Sequence, residues 1–309
     1  MSALEDADLD GALDVHTPEP AGREIVGLVH EAGYLDLLER LDAAGGGRLD
    51  PDTRMGPGSL EAALRASQGT CDAVERVVAG NWHSAFVCVR PPGHHAPADR
   101  AMGFCLTNHV AVAARWAIVA GLAQRVAIVD WDAHHGNGTQ DIFYADADVL
   151  YVSLHQYPFY PGTGSLTERG VGPGSGFTVN VPLPAGAAED AYGRAFDEIV
   201  VPETERFGPD LVLVSAGYDA HHADPLCMMR LTAGAFHRFT RRVSSLGAGA
   251  VCVLEGGYDL DALGWGVCAT ISALLGRDPV GVPDGELEPM SGIVEALSWV
   301  DDAAAAHRA

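Results

Sequence analysis

Residues 125–140 read RVAIVDWDAHHGNGTQ. The first five residues after Arg125 form an apolar, β-branched run that ends on Asp130, and a dense group of polar side chains follows at once. A run that is apolar nearly throughout fits a strand covered on both faces, and such strands belong to parallel sheets. Five more runs of this kind lie outward from it: SAFVCV (84–89), VLYVSL (149–154), FTVNV (177–181), DLVLVSA (210–216) and GAVCVLE (249–255). Between many of them stand helical patterns, at Leu60–Ala79, Asn108–Ala120, Glu189–Arg206 and Thr232–Leu246. This alternation predicts an α/β architecture with a mainly parallel sheet and helices on both faces. The Pro/Gly-rich stretches RPPGHH, YPGTG and GVGPGSG fall within the rhythm and read as functional loops rather than linkers. No repeat or low-complexity segment interrupts the chain. Residues 1–309 therefore read as one domain, with an atypical acidic start at 1–14 and a peripheral tail at 277–309.

In open parallel sheets, ligands bind beyond the carboxyl ends of the strands. Four strand ends carry chemistry here. SAFVCV leads to Arg90 and then His94-His95; the 125–130 run leads to Asp130, Asp132 and His134; DLVLVSA leads to Asp219; GAVCVLE leads to Gly256-Gly257-Tyr258. The Asp-x-His spacing puts Asp132 and His134 within reach of one ion, and Asp219 can complete a three-ligand set. Carboxylate and imidazole donors suit Zn2+ with positions left for water and substrate. The alternative is that Asp132 caps the next helix and His134 is a structural histidine.

His94 and His95 follow two prolines and a glycine, which hold them on a stiff turn. Histidine serves as both base and acid near neutral pH, and Asp130 and Asn137 are the local candidates to orient the two rings. An adjacent pair standing alone is more often structural, but beside a metal site the balance reverses. Tyr258 can donate to the oxyanion of a tetrahedral intermediate, and Gly256-Gly257 lets the backbone turn sharply near substrate. The alternative for Tyr258 is a core position at a helix start. Phe104, after Gly103, and Tyr160, after Phe159, supply aromatics near the same edge. Facing rings would form a narrow slot for an aliphatic chain, and plain packing is the competing explanation.

Composition narrows the function. The chain carries 42 acidic and 19 basic residues for a net charge of −23. That balance argues against nucleic acid and anionic membranes as partners, and it would attract cationic substrates such as polyamines or basic peptides. A solvated acidic surface is the plainer explanation. All the basic residues are arginine, which fits a GC-rich bacterial coding bias. No run of about 18 uncharged apolar residues appears, so no membrane span is expected. The acidic N-terminus lacks the features of a signal peptide, and a cytoplasmic location is the default. The six cysteines form no C-x-x-C pair and read as reduced, buried thiols.

The segments RPPGHHA (90–96), GFC (103–105), DWDAHHGNGTQ (130–140), SLHQYPFYPGTG (153–164), NVPL (180–183), SAGYDAHHADPL (215–226) and LEGGYDL (254–260) closely resemble the zinc-dependent histone deacetylase and acetylpolyamine amidohydrolase family, in its bacterial class II-like form. The match runs from about Val15 to Leu275. The resemblance implies a three-layer arginase-deacetylase fold, with zinc on Asp132, His134 and Asp219. It implies His95 as general base and acid with Asn137 orienting it, His94 as its electrostatic neighbour oriented by Asp130, and Tyr258 polarising the carbonyl. Phe104 and Tyr160 would wall the substrate tunnel, with Gly103, Leu226, Gly256 and Gly257 also lining it. It further implies structural K+ or Na+ ions, at Asp130, Asp132, His134, Ser153 and Leu154 for an inner site and at Phe143, Asp146, Val149 and Phe177 for an outer one.

The resemblance also sorts reactions. Arginase-like relatives hold two manganese ions with additional aspartates. Here Gly136 and the Asp219-Ala220-His221 string lack them, which disfavours arginase chemistry. Leu226, after Asp224-Pro225, looks more like a protein deacetylase than a polyamine-preferring enzyme with an acidic gatekeeper. The expected activity is hydrolysis of an acyl amide, typically acetyl, on lysine or a related amine, releasing acetate. The alternatives are an acetylpolyamine or other small acyl-amine amidohydrolase, and a non-catalytic acyl-lysine-binding or regulatory protein on the same fold. The family's first strand and its histidine-proline-glutamate-arginine segment are not found. Only Val15-His16-Thr17-Pro18-Glu19 resembles part of that region, which in the family borders the site mouth and often the oligomer contact, so a homo-oligomer stays open.

Overall fold

The computed structural model describes residues 2–247 and 249–308. The chain begins with α1 (Ser2–Asp6), α2 (Arg23–Val26) and α3 (Ala32–Ala43), followed by a small antiparallel hairpin of β1 (Gly47–Arg48) and β2 (Arg54–Met55). Next come α4 (Ser59–Val78), β3 (Ala85–Val87), α5 (His109–Val119), β4 (Val126–Asp130), α6 (Asn137–Phe143), β5 (Val149–Gln156) and β6 (Thr178–Leu183). The second half holds α7 (Glu189–Ala195), α8 (Val201–Phe207), β7 (Leu211–Ala216), α9 (Ala233–Val243), β8 (Ala250–Leu254), α10 (Leu260–Leu274) and α11 (Glu295–Arg308).

Six strands form one parallel sheet in the order β3-β8-β7-β4-β5-β6. Alternate residues of β4 face opposite layers. Ala127 and Val129 pack with side chains from α1 and α7 to α11, whereas Val126 and Ile128 pack with α2 to α5. Both faces are thus covered, and this is why the strands are apolar without alternation. The strand order reverses between β4 and β7, the kind of switch point where a crevice opens at the carboxyl ends. Helix starts behind that edge are capped: Asn108 Oδ1 accepts Ala111 N–H at 3.1 Å and Asp259 Oδ1 accepts Ala262 N–H at 2.9 Å.

Several expectations are corrected. The pattern over Glu189–Arg206 is not one regular helix, because a π turn spans Phe196–Val200 between α7 and α8. Pro202 lacks an N–H and its ring crowds the carbonyl four residues back, which widens the helix there. The tail is not peripheral: Ala296, Val300, Ala303 and Ala304 lie on one face of α11 and are fully buried in the core. Their spacing gives an apolar stripe, and small side chains let the helix approach the sheet closely. His307 anchors its end by a ring nitrogen 2.9 Å from the carbonyl oxygen of Asn180 in β6. The acidic start also joins the core through Leu4, Ala7 and Leu9. Five cysteines are buried as expected, but Cys88 is exposed. Among the described residues β3 is an edge strand, with no earlier strand beside it. No helix there is long and apolar enough to cross a membrane.

Candidate active site

The loops after β3, β4, β7 and β8 meet at the carboxyl edge of the sheet, and they bring most of the candidate residues together. Asp132 Oδ2 accepts Gly256 N–H at 2.8 Å, and its Oδ1 accepts the His134 amide at 2.9 Å. Asp219 Oδ1 accepts Ala133 N–H at 2.7 Å. These amides aim both carboxylates at His134, whose Nδ1 lies 2.8 Å from Asp219 Oδ2 and 3.3 Å from Asp132 Oδ1. A Cβ at Gly256 would meet an oxygen of each carboxylate, at 2.6 and 2.7 Å, so only glycine leaves room for this approach.

The electrostatics suit a cation. Asp132 and Asp219 are buried, and burial together with Asp132 pushes the Asp219 carboxyl up to about 7. Burial pushes the His134 ring down, but Asp219 and Asp132 outweigh it and drive the ring upward. Two carboxylates and an imidazole nitrogen that converge in this way fit a divalent ion such as Zn2+. Cys227 Sγ, 3.6 Å from His134 Nε2, is the neighbour on the outer side of that ring.

The histidine pair stands beside this cluster. His94 Nδ1 lies 3.0 Å from Asp130 Oδ2, which also accepts the Tyr151 hydroxyl at 3.0 Å. Burial pushes His94 down, yet Asp130, Asp132 and Glu255 carry it up to about 10. His95 Nδ1 lies 2.9 Å from Asn137 Oδ1. An amide oxygen only accepts, so Nδ1 of His95 carries the proton and Nε2 keeps a free lone pair. Burial, then the neighbouring His94 and His134, hold His95 well below the ordinary histidine range. Gly103 packs on the His95 ring with φ of 56°, and a Cβ there would meet its Cδ2 at 2.3 Å.

Tyr258 follows the Gly256-Gly257 turn, in which Gly257 has φ of 134°. Its amide donates to Asp224 Oδ2 at 2.7 Å. Burial, then Asp219 and Asp132, raise its hydroxyl pKa, so it stays a donor. The Phe104 ring lies 6.0 Å from that of Tyr258, and the Tyr160 ring lies 5.2 Å from that of His95. Phe104, Tyr160 and Leu226 are all exposed, and the Leu226 amide donates to Asp224 Oδ1 at 2.9 Å. Phe159, beside Tyr160, stacks on His134 at 5.3 Å.

The inner cation candidates are neighbours: Asp130 and Ser153 are partners across β4 and β5, with Leu154 next along the strand. Ser153 Oγ already pairs with His155 Nδ1 at 2.9 Å. In the outer group Asp146 N–H donates to the Phe143 carbonyl at 3.0 Å, Val149 begins β5, and the Phe177 carbonyl accepts Tyr151 N–H at 2.9 Å. The Asp146 carboxylate pairs with Arg115, which also lies over the Phe143 ring at 5.3 Å. The side-chain face of that group thus holds a cation of the chain's own.

Three acidic contributions escape a sequence reading. Glu255 ends the β8 run and grips the histidine turn, Asp224 ties two loops together, and Asp50 and Asp52 reach the mouth from the β1–β2 hairpin. The last pair, after burial, pushes the Tyr160 hydroxyl up to about 12. Only Glu255 and Asp224 lie inside the quoted motifs. The hairpin acids carry no local signal.

A family model described as histone deacetylase domain matches residues 1–274. A probable deacetylase of Archaeoglobus fulgidus is 40% identical over 286 residues, covering 91% of this chain and 75% of the relative. A histone deacetylase-like amidohydrolase of Pseudomonas aeruginosa is 41% identical over 290 residues, covering 90% and 76%. A crystal structure of the HDA15 HD domain matches with a TM-score of 0.91 at 35% identity, covering 99% of this chain and 84% of that one. The chain has the arginase-deacetylase fold and belongs to the histone deacetylase family, whose hydrolases act on acetyl amides.

Proposed function

We propose that the protein is a zinc-dependent amidohydrolase that removes an acetyl or similar acyl group from lysine or a related amine. The observation that carries this reading is a neutral His95, tied at Nδ1 to Asn137, beside the converging Asp132, His134 and Asp219. Those three residues would hold the zinc. When bound, the ion supplies Lewis acidity toward the amide carbonyl and lowers the pKa of a water.

The remaining work falls to the chain. His95 Nε2 takes a proton from the attacking water as its oxygen bonds to the carbonyl carbon. The Tyr258 hydroxyl donates to the oxyanion that forms on the substrate. His95 returns the proton to the nitrogen as the C–N bond breaks, releasing the amine and a carboxylate. Protonated His94, held by Asp130, keeps His95 neutral between turnovers. Asp130, Asp132, His134, Ser153 and Leu154 would hold an inner K+ or Na+, with Phe143, Asp146, Val149 and Phe177 around an outer one.

A second reading, in which the substrate is an acetylpolyamine, is favoured by the hairpin acids near Tyr160. The exposed Leu226 favours acyl-lysine in a peptide. Turnover of acetyl-lysine peptides and acetylpolyamines, measured side by side with and without a chelator, separates the two. Chelator-sensitive turnover is expected on at least one class. Zinc-loaded protein inert on both would remove the hydrolase reading and leave an acyl-amine binder.

A further inference from the structure

Glu255 touches no reacting atom in the chemistry described above, where only its charge helps to keep His94 protonated, and it is a buried carboxylate at the centre of the site edge. One oxygen accepts Gly93 N–H at 2.6 Å and His94 N–H at 3.1 Å; the other accepts the Ser215 hydroxyl at 3.1 Å. A single side chain therefore joins the loop after β3 to the ends of β7 and β8. The turn that it grips has no ladder of its own, and buried amides without partners are costly. Glycine 93 is wedged on its other side, since a Cβ there would meet His109 N at 2.8 Å and the Thr107 carbonyl oxygen at 3.0 Å. All the donors that face Glu255 need an acceptor, and a carboxylate is an acceptor-only group. Leucine could fill the space but would leave two inward-pointing N–H groups unpaired, and alanine would leave a cavity as well.

We infer that Glu255 is the positioning residue that fixes the His94–His95 turn against the metal-binding edge. It touches no reacting atom and sets where His95 Nε2 stands. This role rests on the proposed hydrolysis, because only there does the placement of His95 set a rate.

The test is Glu255→Ala beside Glu255→Gln, reading kcat, KM, zinc content and amide hydrogen exchange at Gly93 and His94. The alanine variant should lose about a hundredfold or more in kcat, as a misplacement near 1 Å does. Its KM should stay within about threefold and its zinc at the wild-type level, because neither substrate contacts nor ligands are removed. Glutamine can still accept both amides while Ser215 turns to accept from it, so its kcat should return to within about tenfold of wild type. Exchange at Gly93 and His94 should quicken in the alanine variant and stay slow in the glutamine one.

An alanine variant with wild-type kcat, or one that loses zinc along with activity, would overturn the inference. So would a glutamine variant as slow as alanine. If the wild type itself turns nothing over, the hydrolase reading fails, and the exchange arm alone decides whether Glu255 holds the turn. If the alanine variant does not fold, Ser215→Ala takes its place. It removes the other half of the grip and should lower kcat about threefold or more at unchanged KM; unchanged kcat would again overturn the role.

Discussion

Asp132, His134 and Asp219 set two carboxylates against one imidazole, whereas His221, His222 and Glu286 set two imidazoles against one carboxylate. Asp219 and His221 stand two residues apart on the chain, and the groups His134–Asp219–Cys227 and His221–His222–Glu286 both have the residue types and closeness of metal sites. Charge separates them. The first sets two buried carboxylates against one imidazole, a donor set that suits a cation. The second closes on itself: His221 Nε2 lies 2.8 Å and His222 Nε2 3.0 Å from the two oxygens of Glu286.

The protons separate them too. His221 Nδ1 faces the Ala223 amide at 3.2 Å, so it must accept. Its proton therefore sits on Nε2 and points at Glu286. A ligand histidine needs the reverse, a bare nitrogen toward the ion and an N–H directed outward. The second group is a clasp that pins the tail to the loop after β7. Residue types and proximity propose metal sites; charge count and tautomer decide between them.

Metal analysis is the most forceful way to break this contrast. Wild-type protein should hold one catalytic zinc, and Asp219→Ala should lose it together with activity. The loss in affinity should exceed the roughly 10–100-fold that outer partners of a ligand are worth. Full zinc in that variant would refute the ligand assignment.

Tyr258→Phe probes the same edge without touching the ligands. It should keep its zinc and lose about 10²- to 10³-fold in kcat, the usual cost of an oxyanion donor. Retained turnover would point to another donor.

Glu286→Ala addresses the clasp. It should leave zinc content and kcat within about twofold of wild type and reduce stability by about 1–3 kcal/mol, since the buried His221 N–H loses its acceptor. Denaturant melts check the stability, and loss of a second bound zinc would make the clasp a metal site after all.

The contrast also explains what the sequence made legible. Strands β4 and β7 are short apolar runs that end directly on Asp130 and just before Asp219, so periodicity and chemistry could be read from the same residues. His94, His95, Asn137 and Tyr258 stood in local strings with distinctive spacing. Glu255 was visible as a letter but not as a clamp, because its partners Gly93 and His94 lie 162 and 161 positions away. Glu286 sits in a tail whose apolar stripe is built of alanines, too weakly hydrophobic to announce a buried helix. Asp50 and Asp52 reach the mouth only through the packing of a hairpin. Long-range acceptors carry no periodic signature, and that is the part that folding had to supply.

The smallest expected effect is the pH dependence of the clasp. Burial works to raise the Glu286 carboxyl, but His222 and His221 outweigh it and hold it below the ordinary value of about 4.3. A carboxyl depressed in the folded state stabilises the protein above its unfolded pKa, and that contribution is lost as pH falls through the folded pKa. The difference in melting temperature between wild type and Glu286→Gln should therefore shrink as pH falls below about 4, where both histidines are already protonated. Both proteins share Asp132, His134 and Asp219, so acid release of metal there cancels in the difference and only the clasp is read. A difference that widened below about pH 4 would mean that Glu286 is raised by folding, and two imidazoles would then not be what holds it.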